Sequence, residues 1–387
     1  MEAMEAEVLE VVALEAEAEA VLDRMFYFLM SLLFFLVSCD TKAIGNRSYE
    51  VFKDQSIKFD ENMNSDSDDF LIMDNGRIAL KKITIPMFKK HTDVSIEASL
   101  VSVGDPWDKS AGIFLMQNDP RNSSENPIEL LRFITPFGVG HFSEDNERID
   151  EYRPVYIPKW EESISWAENI THLIPFLQGE VWIGLWIDTW HKDGYSVSVD
   201  LNFIESDIKN HQKENLSLIP LKNTTNYFDA DIGKKHDFSS NDLSMKIELD
   251  QNITNAKFYY LTTGHGAHSE GDEFNQRNNI LMHNNEVLTV FDAWRDDCAS
   301  FRRFNPSSGA WFEKTIWKGE EINERIASSD YSRSNWCPGS KVSPIVIELG
   351  DLDKGDHIFT ISIPDAQPTT DEYWNFWNVS SYIVYEN

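Results

Sequence analysis

The sequence predicts an all-β protein made of two adjacent β-sandwich domains. Its 387 residues are enough for about two domains of ordinary size. Short apolar or alternating runs recur along the chain, punctuated by Asn, Gly and Pro turns. Amphipathic stretches long enough for surface helices are scarce. Apolar residues make up 41% of the chain and aromatics 12%, a composition that folds. The formal charge of −31 offers no basic stripe to a phosphate backbone, so a nucleic-acid partner is not expected.

Residues 1–39 read as an acidic extension followed by an export segment. MEAMEAEVLEVVALEAEAEAVLDR, at 1–24, is of low complexity. Its Ala, Glu and Leu favour a helix; the alternative is an extension outside the mature protein. MFYFLMSLLFFLVSC, at 25–39, is too short for a comfortable membrane span and has the length of a signal-peptide core. LVSC at 36–39 resembles a bacterial lipoprotein box, which makes Cys39 the lipidated first residue of the mature chain. A buried helix and a plain signal peptide are the alternatives.

Residues 40–75 form a polar, Asn- and Asp-rich linker with the first strands, and 76–210 the N-terminal domain. SIEASLVSV (95–103) alternates in part, and AGIFLM (111–116) is a short apolar run. In VWIGLWIDTW (181–190), alternation puts Val181, Ile183, Leu185 and Ile187 on one face and Trp182, Trp186, Asp188 and Trp190 on the other. YSVSVDLNFIE (195–205) follows a short turn at 192–194 and is expected to pair antiparallel with it. Residues 211–240 are the inter-domain crossing. Residues 241–387 form the C-terminal domain, with strands in LSMKIELD, KFYYLTT, NEVLTVF, SPIVIELG, HIFTISIP and NVSSYIVYE.

With Cys39 set aside, Cys298 and Cys337 remain. A pair in an exported chain is a disulfide candidate, and its closure would stabilise the fold by roughly 3–4 kcal/mol in the chain-entropy model. Two separate buried thiols are the alternative in the cytosol.

TTGHGAHSEGDEFNQ, at 262–276, concentrates the polar chemistry. His265 and His268, with Glu270, Asp272 and Glu273, have the ligand types of a metal site. Their glycines predict a loop instead of the helix that would align the histidines, with EFNQ opening the next strand. No metal is expected. The sharper reading makes Glu273 a carboxylate facing a groove, joined by a second acid from elsewhere. Asp108, in GDPWDK after Trp107, and Asp188, beside Trp186 and Trp190, are the candidates.

RFITPFGVG (132–140), TTGHG (262–266) and RSNWCPG (333–339) resemble signatures of the bacterial peptide-N4-(N-acetyl-beta-glucosaminyl)asparagine amidases of the flavobacterial PNGase F type. Their order and spacing agree as far as FWNVSSYIV (376–384), so the resemblance spans about 50–387. It implies two jelly-roll β-sandwiches side by side, with the active site at their interface and no cofactor. It also implies catalytic roles for Asp108, Glu273 and Asp188, substrate contacts from Trp107, Lys109, Trp190, His265, Arg333 and Trp336, and pairing of Cys298 with Cys337. The implied activity is hydrolysis of the amide that joins an intact glycan to asparagine in glycoproteins and glycopeptides, leaving aspartate. The protein is expected to act as a monomer at the bacterial cell envelope, lipid-anchored at the outer membrane or cell surface, or secreted. An endo-acting glycoside hydrolase and a non-catalytic glycan-binding surface lipoprotein are the alternatives. Against the family enzyme it resembles, the chain departs at Asp188, where that enzyme has glutamate, and at Lys109, where it has arginine. It also lacks a tryptophan near His265 and cysteines around the third acid.

Overall fold

The computed structural model describes residues 45–386 apart from 89–90, 145–149, 152, 207–215, 226, 229–234, 267 and 269–270. The acidic extension, the export segment and Cys39 lie outside the described residues.

Strands β1 (Gly45–Ile57), β5 (His91–Ser102), β8 (Ile164–Asn169) and β10 (Tyr195–Ser206) form a sheet in the order β1-β10-β5-β8. It faces a larger sheet built from β2 (Ser65–Asp66), β3 (Phe70–Met73), β4 (Ile78–Ile85), β6 (Ser110–Met116), β7 (Ile128–Ile134), β9 (Gly179–Ile187) and β18 (Lys341–Val342), in the order β18-β7-β6-β9-β4-β3-β2. The second sandwich packs β11 (Leu216–Asn223), β13 (Ile253–His265), β19 (Ile345–Leu352) and β21 (Phe376–Glu386), ordered β11-β21-β13-β19, against β12 (Leu243–Leu249), β14 (Asn278–His283), β15 (Glu286–Asp292) and β20 (Gly355–Ser362), ordered β12-β20-β14-β15. A separate hairpin, β16 (Ala310–Trp317) with β17 (Glu320–Ala327), leads back toward β18. All the named pairings are antiparallel. Among the described residues, helix is confined to short turns such as Ile174–Leu177 and Cys298–Phe304, and no helix is long and apolar enough to cross a membrane.

Alternation explains the layers. Val181, Ile183, Leu185 and Ile187 of β9 point into the first core, where they meet Tyr195, Val197, Val199, Leu201 and Phe203 of β10. Each such side chain contributes about 1.5–3 kcal/mol when fully buried. Trp182 and Trp186 leave by the other face, but they are buried too, in a small cluster with Phe114 and Tyr227. Trp186 therefore cannot contact a sugar.

The expected pairing of β9 with β10 does not occur. β9 lies between β4 and β6, while β10 lies between β1 and β5 in the facing sheet. Both strands carry an apolar face, and across a sandwich those faces meet each other, whereas a hairpin would set them side by side. The link between them arches from one sheet to the other. The loop after β13 also differs from expectation: EFNQ lies in turns, and the next strand starts at Asn278.

The sandwiches share an apolar seam. In β13 and β21, Phe258, Tyr260 and Ile383 enter the second core, while Tyr259, Leu261, Tyr382 and Val384 join the first. Arg132 of β7 crosses the seam to Asn378 O at 2.7 Å and Thr263 Oγ1 at 3.4 Å. Its charge is met by Glu129, at 2.6 and 3.1 Å, which also accepts a hydrogen bond from Tyr227. Cys298 and Cys337 form a disulfide.

Candidate active site

Asp108 sits in the loop between β5 and β6, and the backbone on both sides of it is clamped. The buried Asp105 carboxylate accepts hydrogen bonds from Trp107 N at 3.0 Å and Thr189 Oγ1 at 2.7 Å. Trp107 O accepts from Tyr195 Oη at 2.6 Å and Thr135 Oγ1 at 3.3 Å. Thr135 Oγ1 also accepts from Lys109 N at 2.8 Å, and Thr135 N donates to Lys109 O at 2.9 Å. Trp107 is left 59% exposed, edge-on to Phe137, and Lys109 is half-buried.

The second sandwich brings Glu273 and Arg333 to the same place. Glu273 lies in the loop after β13, and its carbonyl accepts from Ser334 N at 2.9 Å. Arg333 is buried. Its Nε donates to Glu273 Oε1 at 3.0 Å, Nη1 to Tyr331 O at 2.9 Å and Nη2 to Ser328 O at 2.9 Å. Asp108 Oδ2 stands 3.8 Å from Nη2, within ion-pair range but beyond a hydrogen bond. One guanidinium thus serves two carboxylates from two domains, gripping Glu273 and only facing Asp108.

Burial pushes the Asp108 carboxyl above the usual range, and Arg333 and Lys109 oppose the rise. Glu273 is pushed up to about 7, chiefly by burial, with Arg333 pulling it down and the charge of Asp108 adding to the rise.

Beneath this pair runs a column of rings capped by cations. The Arg333 guanidinium lies 4.9 Å from the Trp336 ring, which stacks on His265 at 5.4 Å. His265 stacks on Phe376 at 4.9 Å, and the Lys235 ammonium sits 4.7 Å from the Phe376 ring. His265 and Trp336 are both buried, and Trp336 Nε1 donates to Gly264 O at 2.8 Å. Burial, Lys235 and Arg132 hold the His265 imidazole well below its usual pKa, so it is neutral. Its Nε2 meets Thr263 Oγ1 at 2.9 Å, and His268 Nε2 meets Asn375 Oδ1 at 3.1 Å. Asp272 is spent on Arg277, Gln367 N and Trp377 Nε1, at 3.0–3.1 Å. Among the described residues no group of three or more His, Cys, Asp or Glu is arranged to hold a metal, and Glu270 lies outside them.

Asp188 and Trp190 form a neighbouring cluster around a residue that sequence reasoning missed, Arg77. Asp188 Oδ1 is 3.3 Å from Arg77 Nη1, and the guanidinium lies 4.1 Å over the Trp190 ring. Asp74, 2.6 Å from Arg77, completes the group. Asp188 N donates to Ser110 O at 2.9 Å, which sets this cluster beside the Asp108 loop. Trp190 is 56% exposed. Lys235, also missed, bonds Thr225 O at 2.8 Å and Asn378 Oδ1 at 2.9 Å. Burial brings its amine down to about 8, with the charge of Asp188 opposing. Arg77 left one sequence signal, its place directly after the tight Asp74–Gly76 turn; Lys235 left none.

The family model for the N-terminal domain of peptide-N-glycosidase F matches residues 48–124 and 118–203, and that for its C-terminal domain matches 234–384. Together they take in most of both sandwiches, though not β11, and every residue of the Asp108–Arg333–Glu273 group.

The chain belongs to the peptide-N-glycosidase F family.

Among solved structures it is similar to PNGF-II, with 29% identity, a TM-score of 0.72 and 88% of this chain covered. That match takes in 66% of the PNGF-II chain, so the protein spans about two thirds of that relative's length. It is also similar to PNGase F, a glycosylasparaginase from Flavobacterium meningosepticum, at 17% identity and TM-score 0.60, covering 89% of this chain and 96% of that one; at this identity the likeness is one of fold. No curated protein sequence matches the chain.

The peptide-N-glycosidase F signatures acquire physical reasons here. In RFITPFGVG, Arg132 locks the sandwiches together and Thr135 clamps the Asp108 loop. In RSNWCPG, Arg333 carries the shared charge, Asn335 Nδ2 donates to Thr262 O at 2.8 Å, Trp336 joins the column, and Cys337 ties the loop to Cys298. In TTGHG, a Cβ on Gly264 would come within 2.8 Å of Trp377 and 2.9 Å of Asp272 O, so only glycine lets the strand pass.

Proposed function

We propose that the protein is a peptide-N4-(N-acetyl-beta-glucosaminyl)asparagine amidase that releases intact N-linked glycans from glycoproteins or glycopeptides and converts the asparagine to aspartate. The observation that carries this reading is the sharing of Arg333 between Asp108 and Glu273 at the seam of the sandwiches. Glu273 spends one oxygen on Arg333, whereas Asp108 is held near the cation without a hydrogen bond to it. This difference favours Asp108 as the carboxylate that takes a proton from water.

In this mechanism the water oxygen bonds to the side-chain carbonyl carbon as its proton passes to Asp108. Arg333 offsets the negative charge that develops on the carbonyl oxygen. The carbon–nitrogen bond then breaks, and the proton held by Asp108 goes to the leaving nitrogen. The products are an aspartate-bearing peptide and a glycosylamine, which loses ammonia in water. Glu273 holds the first sugar or an ordered water and raises the proton affinity of the pair. Asp188 and Trp190 position the sugar core, and Trp107 and Lys109 line the entrance. His265 and Trp336 are buried, so they support the site from beneath. The same reading includes export, monomeric action, and envelope attachment through Cys39 or secretion; the Cys298–Cys337 disulfide supports export.

The test is product mass. Incubated with an N-glycopeptide, the purified protein should add about one mass unit to the peptide at asparagine and leave both core N-acetylglucosamines on the glycan. A peptide that keeps one sugar identifies a glycoside hydrolase, and binding without release identifies a lectin-like protein.

A further inference from the structure

The loop between β20 and β21 is fastened to the loop that carries Glu273. Asn375 Oδ1 accepts a hydrogen bond from Asp272 N at 3.2 Å and meets His268 Nε2 at 3.1 Å. Gln367 N donates to the Asp272 carboxylate at 3.0 and 3.1 Å. The Tyr373 ring lies 4.3 Å from the His268 imidazole. Gly266 has φ +147°, and a Cβ there would stand 2.2 Å from Asn375 Oδ1 and 2.8 Å from Trp374 O, so the two backbones touch.

Despite this anchoring, Trp374 is 63% exposed and Tyr373 44%. Asp371 and Glu372, just before them, are exposed as well. An indole held on fastened backbone and left 63% exposed among the described residues is a platform on which a ligand ring can stack. Its apolar face suits the C–H face of a pyranose ring, and the exposed carboxylates of Asp371 and Glu372, two and three positions before it in the same loop, suit sugar hydroxyls. A flanking peptide offers no such constant complement, and an acidic one would be repelled. Every substrate of the proposed amidase carries sugars.

We infer that Trp374, with Tyr373, Asp371 and Glu372, forms a subsite for a sugar of the glycan beyond the two linked to asparagine. Trp374 is then a specificity-determining residue. The inference rests on the amidase reading for its substrate, but its test separates the two. Free chitobiose and a free high-mannose oligosaccharide contain no scissile amide, so both can be titrated against the wild-type protein and the W374A and W374F variants by calorimetry. Because Trp374 is exposed, circular dichroism should show the variants folded. W374A should weaken the larger glycan about tenfold, the scale of a truncated interface tryptophan, and leave chitobiose unchanged, with W374F recovering most of the loss. On glycopeptides W374A should raise KM for the long glycan and leave kcat alone. Equal weakening of both sugars, no weakening of either, or no binding of the larger glycan by the wild type overturns the subsite. Absence of glycan release by a wild type that still shows the Trp374-dependent binding overturns the amidase reading and leaves the subsite standing.

Discussion

Consider a protein in which Glu273 is replaced by glutamine. In the wild type, burial and the charge of Asp108 outweigh Arg333 and push the Glu273 carboxyl from 4.5 up to about 7. The folded state therefore binds this proton more tightly than the unfolded chain does. Its stabilising effect is complete below about pH 4.5 and is lost as the pH rises through about 7. The loss amounts to roughly 3 kcal/mol over that window. Glutamine does not titrate, so E273Q should escape the loss. Urea unfolding of both proteins at a series of pH values from about 4.5 to 8 gives the difference in stability. That difference should move in favour of E273Q by roughly 3 kcal/mol as the pH rises, whatever its starting value. Adding Asp108→Asn to both backgrounds should shrink the movement, because Asp108 supplies part of the rise. A difference that stays constant with pH, or that moves toward the wild type, would refute the claim that burial dominates at this site.

Asp108→Asn keeps the size of the side chain and removes the proposed base; kcat on a glycopeptide should fall by about 10²–10⁴ with the circular dichroism spectrum unchanged, and full activity would remove Asp108 from its role. Arg333→Met strands two carboxylates at a buried seam and should cost about 3–5 kcal/mol in urea unfolding. Arg333→Lys should retain the charge but lose the fixed grip on Glu273, Tyr331 O and Ser328 O, so activity should drop further than stability. Replacing Cys298 and Cys337 by serine should cost roughly 3–4 kcal/mol and lower activity, because the bond holds the loop that carries Arg333 and Trp336; an unchanged thermal midpoint would sink this account.

Much of the protein was legible in its sequence because the relevant signals are local. Alternation along 181–187 determined which β9 residues face the core. The two cysteines left after Cys39 made a disulfide candidate, and the structure joins them. The Trp107-Asp108 pair, the glycine-bearing loop before Glu273 and the RSNWCPG segment marked three segments that the fold brings together around Arg333. Tertiary structure decided whatever depends on which surfaces meet. Alternation is the same for a strand in a hairpin and for one arching across a sandwich, so β9 and β10 looked like partners until the sheets were assembled. Alternation put Trp186 on the face of β9 away from the first core, and only the fold brings Tyr227, far along the chain, to cover it. The gathering of Asp108 and Glu273 around Arg333, the capture of Asp188 by Arg77 and the burial of His265 between Trp336 and Phe376 all join residues remote in sequence. A carboxylate's charge state and free lone pairs are set by the groups folded against it, and no local pattern encodes them.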